Sequence, residues 1–497
     1  MVSATEYMTL DAVEMASLVR VGELSASELL EAAIARAELV NPRLNAVIIP
    51  MFDLARARAT TALSGPLAGV PFLVKDLYQD YAGVLATSGS RAFRRAGIVP
   101  QRHSEIVARW LAAGAVIFGR TNTPEFGAKG ITEPDAWGPT RNPWRLTHSP
   151  GGSSGGAAAA VAAGIVPAAG ASDGGGSIRI PASSTGLFGL KPGRGRTPNG
   201  PIVGEAMHGA AVHHVIARTV RDSAALLDAT HGRERGSSFV IAPPERPYLE
   251  EVGREPGRLR VAYSTRSPLG TPVHPEAVAA VEHAAHLLES LGHDVEQAEP
   301  AIDGVALARD FTAVWFAQMG AQVQAARTAL GASSNDFELD TLAMEAVGKS
   351  RSAVSYVESY VRWQHYGRSL SEFLARCDVY VTPTMAEPPP RIGEVKTLAW
   401  AERLLRAGMP FGVGRLLPYA ARIIEQITLD HLRRVPFTQL ANVTGVPAMS
   451  VPLASYADGL PLGVQFVTDH GGEGRLFSLA AQLEQAAPWR DRRPTLD

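Results

Sequence analysis

Between residues 149 and 181 two glycine- and serine-rich clusters bracket a stretch with no charged or polar side chain. The first reads Ser149-Pro-Gly-Gly-Ser-Ser-Gly-Gly156 and the second Ser172-Asp-Gly-Gly-Gly-Ser-Ile-Arg-Ile-Pro181, with Ala157–Gly170 between them. Gly164 and Pro167 break that stretch, which reads as a helix from about Gly155 to Gly164 and a strand from Ile165 to Ala171. Ten helical residues rise about 15 Å and a strand of that length returns a similar distance, so Ser153 and Ser177 are expected to meet. Both precede a helix start, where free backbone N–H groups favour negative charge.

The same alternation of short apolar runs and helical patterns extends along the chain. Gly69-Val-Pro-Phe-Leu-Val74 reads as a strand buried on both faces and ends at Lys75-Asp76; Ala115-Val-Ile-Phe-Gly119 follows a helical pattern from Ile106 to Leu111. The expected architecture is α/β, a central mixed sheet covered by helices on both faces. Residues 9–48 are mainly helical, with Ser25 and Glu28 forming a capping box and Asn41-Pro42 ending the helix. Val446–Leu453 and Leu460–Val467 flank Asp458-Gly459 and are expected to pair as a hairpin, followed by a closing helix through Leu476, Leu479 and Leu483. The stretches 305–375 and 397–435 read as helical elaborations on the sheet. No linker separates independent units, so residues 1–497 are read as a single domain.

Composition narrows the partners. With 47 Lys+Arg against 49 Asp+Glu, no global field draws the chain to nucleic acid or an anionic membrane, and the partner is expected to be a small molecule. The longest apolar window falls short of the ~20 residues that cross a bilayer. The N-terminus lacks the basic start and apolar run of a secretory signal, and one cysteine, Cys377, excludes an intrachain disulfide; a cytoplasmic location follows as the expectation. Nothing in the sequence fixes an oligomeric state, and a homodimer stays open.

A serine hydroxyl is a poor nucleophile until a neighbouring base takes its proton. None of the 13 histidines stands in a motif announcing a Ser-His-Asp arrangement, and His208, His213 and His214 lack the carboxylate spacing of a metal site. No cofactor or metal is expected. Lys75 is the better base candidate, because an amine at the end of a buried strand has its pKa lowered by desolvation; on spacing alone it also reads as a solvated strand cap, and the resemblance given below raises it. Gly174, Gly175 and Gly176 leave the main chain unobstructed, so their amides and that of Ser177 are expected to converge on one oxyanion.

Gly69–Asp76, Thr121-Asn-Thr-Pro-Glu-Phe126, Thr140-Arg-Asn-Pro-Trp144, both Gly/Ser clusters and Gly189-Leu-Lys-Pro192 together resemble the amidase signature family. The resemblance implies one α/β fold in which Ser177 is the nucleophile, Ser153 a bridging serine held by a cis peptide, and Lys75 the base. It implies that Ser154 supports Lys75, and that Asp173 and Arg179 form a structural pair flanking the nucleophile. Gly174, Thr185 and Gly193 depart from common family choices without removing a catalytic atom, and Ile180 stands where tRNA-dependent amidotransferase subunits usually carry Gln. Asn45–Pro50 and Thr132–Trp137 are most similar to the branch of 6-aminohexanoate cyclic dimer hydrolases, which hydrolyse nylon oligomers. Linear or cyclic amides, aryl amides among them, are therefore expected first and carbamates or esters second, with the loop Phe126–Thr132 (Phe126, Gly127 and Ile131) and the region 305–435 shaping the pocket.

Two rival readings exist. Gly151-Gly-Ser-Ser-Gly155 formally fits the G-x-S-x-G elbow of an α/β-hydrolase, but that elbow must follow an apolar strand and Arg145–Pro150 is none. The glycine loops could instead cradle phosphate in a nucleotide-binding module, though no G-x-x-x-x-G-K-[ST] occurs.

Overall fold

A computed structural model of the chain describes residues 2–395 and 432–496. Its strands are β1 (Val47–Pro50), β2 (Pro71–Lys75), β3 (Val116–Thr121), β4 (Ala168–Asp173), β5 (Phe188–Lys191), β6 (Val212–Ala217), β7 (Arg260–Tyr263), β8 (Asp294–Gln297), β9 (Val379–Pro383), β10 (Ala448–Ser455) and β11 (Pro461–Val467). They form one mixed sheet in the order β1-β3-β2-β4-β6-β5-β10-β11-β9-β7-β8. β2 runs parallel to both β3 and β4, and β4 pairs antiparallel with β6. Every residue of β2, β3, β4, β5 and β6 is buried, which is why Val70–Val74 and Val116–Phe118 read as short apolar runs. The edge strand β8, Asp-Val-Glu-Gln, is short and largely exposed, a composition that discourages pairing with another sheet.

Two of the five hydrophobic clusters among the described residues line most of this sheet. One joins the Ala26–Leu44 and Gly155–Ala162 helices to β2, β3 and β4; the other joins the Pro275–Ser290 and Glu473–Ala486 helices to β5, β9, β10 and β11. The Gly155–Ala162 helix is buried along its whole length, and its small side chains let it lie against the strand ends. A Cβ at Gly156 would stand 2.3 Å from the Asn122 nitrogen, so that approach requires glycine.

The helix over 26–44 corrects one expectation. Its capping box forms, with Ser25 Oγ accepting the Glu28 N–H at 3.2 Å and the Glu28 carboxylate accepting the Ser25 N–H at 2.9 Å. It does not stop at Asn41-Pro42 but continues to Leu44 with Pro42 inside. The Asn41 carbonyl accepts the Asn45 N–H at 2.8 Å, and the Asn41 side chain takes the Ala46 and Val47 N–H groups, each at 2.8 Å. Asn45, at φ 52°, is the actual stop. The strand expected over Ile165–Ala171 begins three residues later, at Ala168, and runs on to Asp173, which carries Ser172 into the sheet.

The hairpin forms as expected: β10 and β11 pair antiparallel, and Gly459 turns at φ 87°. The region 305–375 holds three helices, Gly304–Leu330, Leu339–Ser350 and Ala353–Leu374. The helical stretch expected over 397–435 lies outside the described residues up to position 431.

Candidate active site

Lys75 is the last residue of β2, between the ends of β3 and β4, and its side chain is fully buried. Its Nζ lies 2.8 Å from Ser153 Oγ, 2.9 Å from Ser154 Oγ and 3.0 Å from Ser172 Oγ. Among the described residues no carboxylate pairs with it. Burial pushes its pKa down to about 7, against a smaller opposing pull from Asp173. Gln79 fixes the backbone here, its Oε1 accepting the Lys75 N–H at 2.7 Å and its Nε2 donating to the Ala171 carbonyl at 2.9 Å.

The hydroxyls around Lys75 are not equivalent. Ser154 Oγ donates to the Ser172 carbonyl at 3.2 Å and accepts the Ser172 N–H at 3.3 Å, so its proton is committed and it can only accept from the amine. A neutral amine offers two N–H donors and one lone pair; the lone pair must therefore face Ser153 or Ser172. Ser172 is not among the residues the sequence singles out; its place beside Lys75 depends on β2 and β4 being neighbours in the sheet.

Ser153 follows a cis Gly152–Ser153 peptide, just before the Gly155–Ala162 helix. The loop through Gly127 closes over it: a Cβ at Gly127 would stand 3.2 Å from Ser153 Oγ and 2.6 Å from Leu77 Cδ2. Ser177 lies in the turn between β4 and the Arg179–Thr185 helix, 9% exposed, and its hydroxyl makes no hydrogen bond among the described residues. The two serine loops adjoin, since a Cβ at Gly151 would meet Pro181 Cα at 3.0 Å.

Asp173 and Arg179 form the expected pair, both fully buried, with Arg179 Nε 3.0 Å from Oδ2 and Nη2 2.9 Å from Oδ1. Burial alone would raise the Asp173 pKa; the Arg179 charge and hydrogen bonds outweigh it and hold the carboxyl well below the usual range. Asp173 also accepts the N–H groups of Gly176 at 2.7 Å, Ile178 at 3.1 Å and Arg179 at 3.4 Å. Of the four amides expected to face an oxyanion, that of Gly176 is thus committed to Asp173. This also disfavours a phosphate cradle, because the anion held by this turn is the chain's own carboxylate.

More distant residues, invisible to motif reading, brace the turn. Asn442 Nδ2 donates to Asp173 Oδ1 at 2.9 Å while its Oδ1 accepts from Arg179 at 2.6 Å, and Gln465 Oε1 accepts from Arg179 at 2.7 Å. Thr438 Oγ1 donates to the Gly175 carbonyl at 2.7 Å. Of the three expected substrate contacts, Gly127 adjoins Ser153 directly. The Phe126 ring turns away to pack on Phe93 and Phe337, with centroids at 5.7 and 6.2 Å, and Ile131 lays its main chain against Gly152. His213 and His214 are buried on β6, where His213 stands opposite Ser172; burial, aided by Lys75, pushes His213 down to about 4. His208 packs on Tyr360 and hydrogen bonds Tyr356. No group of three or more His, Cys, Asp or Glu side chains that could hold a metal ion occurs among the described residues, and no helix among them is long and apolar enough to cross a membrane.

Residues 28–477 match the Amidase family model. The chain belongs to the amidase family. This amidase is 39% identical over 493 residues to a 6-aminohexanoate-cyclic-dimer hydrolase of Paenarthrobacter ureafaciens, covering 98% of this chain and 96% of that one. A solved structure of 6-aminohexanoate cyclic dimer hydrolase complexed with substrate superposes with a TM-score of 0.89 at 38% identity, over 98% of this chain and 99% of that one. A bacterial aryl acylamidase of the amidase signature family superposes at 0.83 with 26% identity, over 97% and 98% of the two chains. The fold is thus the expected amidase-signature α/β architecture, and the amidase is a hydrolase of amide C–N bonds.

Proposed function

We propose that this amidase hydrolyses uncharged small-molecule amides through an acyl-enzyme on Ser177, with Ser153 as proton bridge and Lys75 as base. The observation that carries the reading is the fully buried Lys75 amine, with its pKa near 7, hydrogen bonded to Ser153. At neutral pH about half of such amines are uncharged, and the lone pair accepts the Ser153 proton while Ser153 Oγ accepts that of Ser177. Ser177 Oγ then attacks the carbonyl carbon, and the negative oxygen faces the amides of Gly174, Gly175 and Ser177. The protons return along the same hydroxyls to the leaving nitrogen as the C–N bond breaks. Water repeats the route to free the acid and Ser177.

The similarity to 6-aminohexanoate-cyclic-dimer hydrolases favours cyclic 6-aminohexanoate amides as substrates, and that to an aryl acylamidase favours anilides as convenient probes. One continuous sheet supports reading the chain as a single domain, and a lone buried cysteine suits a reducing cytoplasm. Ser177→Ala and Lys75→Ala should each lower amide turnover by about 10³-fold or more, and Ser177→Ala should abolish labelling by a fluorophosphonate, with melting temperatures near wild type. Wild-type turnover in either variant ends the assignment.

A further inference from the structure

One face of the Gly304–Leu330 helix runs along the candidate site. Phe311, Trp315, Met319 and Gln322 follow one another at steps of four, four and three, the spacing of a single helical stripe, and span roughly 16 Å. Each meets a different part of the site. Phe311 Cζ stands 2.8 Å from where a Gly175 Cβ would lie, and Trp315 Cζ3 stands 3.4 Å from the corresponding point at Gly174, beside Met207 Sδ at 3.5 Å. Met319 packs in the cluster of Phe126, the residue before Gly127. Gln322 Nε2 donates to Tyr78 Oη at 2.7 Å, three residues beyond Lys75.

Trp315 occupies the middle of this stripe. It stacks on Phe311, with centroids 5.7 Å apart at 24°, and packs against both the Phe126 cluster and the cluster of Ala210, Phe311 and Trp363. It therefore bridges the loop that covers Ser153 and the turn that carries Ser177, and it remains partly exposed. The backbone around it is held in an uncommon shape: Tyr78, Phe126, Met207 and His208 all have φ between 51° and 60°. Such conformations in non-glycine residues cluster where a site is shaped by its surroundings.

The stripe carries no formal charge, and Lys129 and His208 beside it have partners of their own. Lys129 pairs with Glu338 and Asp340, and His208 Nδ1 faces Glu205 at 3.5 Å. A charged substrate group laid on this wall would lose water without gaining a partner, whereas methylene or aryl carbon would gain from contact.

We propose that Trp315 is a specificity-determining residue: with Met207 and Phe311 it forms an apolar wall that receives the acyl chain and selects extended, uncharged acyl groups over short or charged ones. This rests on the Ser177 reading above. The test compares kcat/KM for acetyl, hexanoyl and glutaryl 4-nitroanilides in wild type, Trp315→Ala, Trp315→Phe and Ser177→Ala. Wild type should prefer hexanoyl to both others by about tenfold or more, the scale set by hydrophobic pockets. Trp315→Ala should lose about tenfold or more on hexanoyl and less than about threefold on acetyl, and Trp315→Phe should retain most of the preference. If Trp315→Ala does not fold, Trp315→Leu reports the same ratio. An unchanged hexanoyl-to-acetyl ratio, or an equal loss on every substrate, overturns the wall while leaving Ser177 standing, provided Ser177→Ala is inactive. An active Ser177→Ala overturns the nucleophile instead.

Discussion

The ionisation of Lys75 can be moved by a single substitution whose effect is calculable. Ser172 Oγ lies 3.0 Å from Lys75 Nζ, and successive strand residues point to opposite faces, so an aspartate at 172 faces the amine while Asp173 keeps to Arg179. A unit charge at about 4 Å with an effective dielectric near 20 is worth about 4 kcal/mol, or roughly three pKa units. If activity requires the neutral amine, the acid limb of kcat/KM should fall near pH 7 in wild type and move toward about pH 10 in Ser172→Asp. At pH 7 the variant should then be slower by about 10³-fold and should recover as pH rises, whereas Ser172→Asn should stay near wild type. The pH dependence of anilide hydrolysis reads this directly. Asp173 and His213, the other titratable groups coupled to Lys75, lie well below the usual range and near 4, so neither produces a limb at 7. Lys191 does lie near 7, lowered by burial and by Arg179, but its Nζ is bonded to the Pro192 carbonyl and a charge at 172 has no direct partner there. A limb that stays near 7 in Ser172→Asp refutes Lys75 as the titrating base.

Two further outcomes follow from packing. Asp173→Asn leaves Arg179 buried without its counter-charge and should lower unfolding stability by about 3–5 kcal/mol in urea titrations; a loss below about 1 kcal/mol contradicts the role given to the pair. Gly127→Ala places a methyl group 2.6 Å from Leu77 Cδ2 at φ +69° and should cost about 1 kcal/mol or more while lowering kcat/KM. Unchanged melting temperature and turnover together would show that the loop yields freely.

Much of this site is readable in the sequence because it is local. The two Gly/Ser clusters and the lysine that closes an apolar run are each short segments whose residue types announce a turn or a buried strand end. Ser172 escapes because what makes it matter is the neighbouring strand, a pairing that no periodicity encodes. The Gly176 amide is claimed by Asp173 three residues earlier, a local side-chain-to-backbone bond that a run of glycines does not announce. Asn442, Gln465 and Trp315 lie far along the chain in ordinary helical or strand patterns, and their partners appear only once the sheet is assembled. Pro42 illustrates the reverse error, a strong local breaker absorbed in a last turn that Asn41 and Asn45 complete.

On the readings proposed above, the ends of β2 and β4, which hold Lys75 and Ser172, carry the chemistry, and the Gly304–Leu330 helix with Trp315 carries the choice of acyl group. Diversification by selection or by engineering can rewrite positions 315 and 319 while leaving the hydrogen bonds of Lys75 in place, whereas 311 and 322 rest on Gly175 and Tyr78. Libraries confined to positions 315 and 319 should therefore yield altered diets at undiminished intrinsic reactivity.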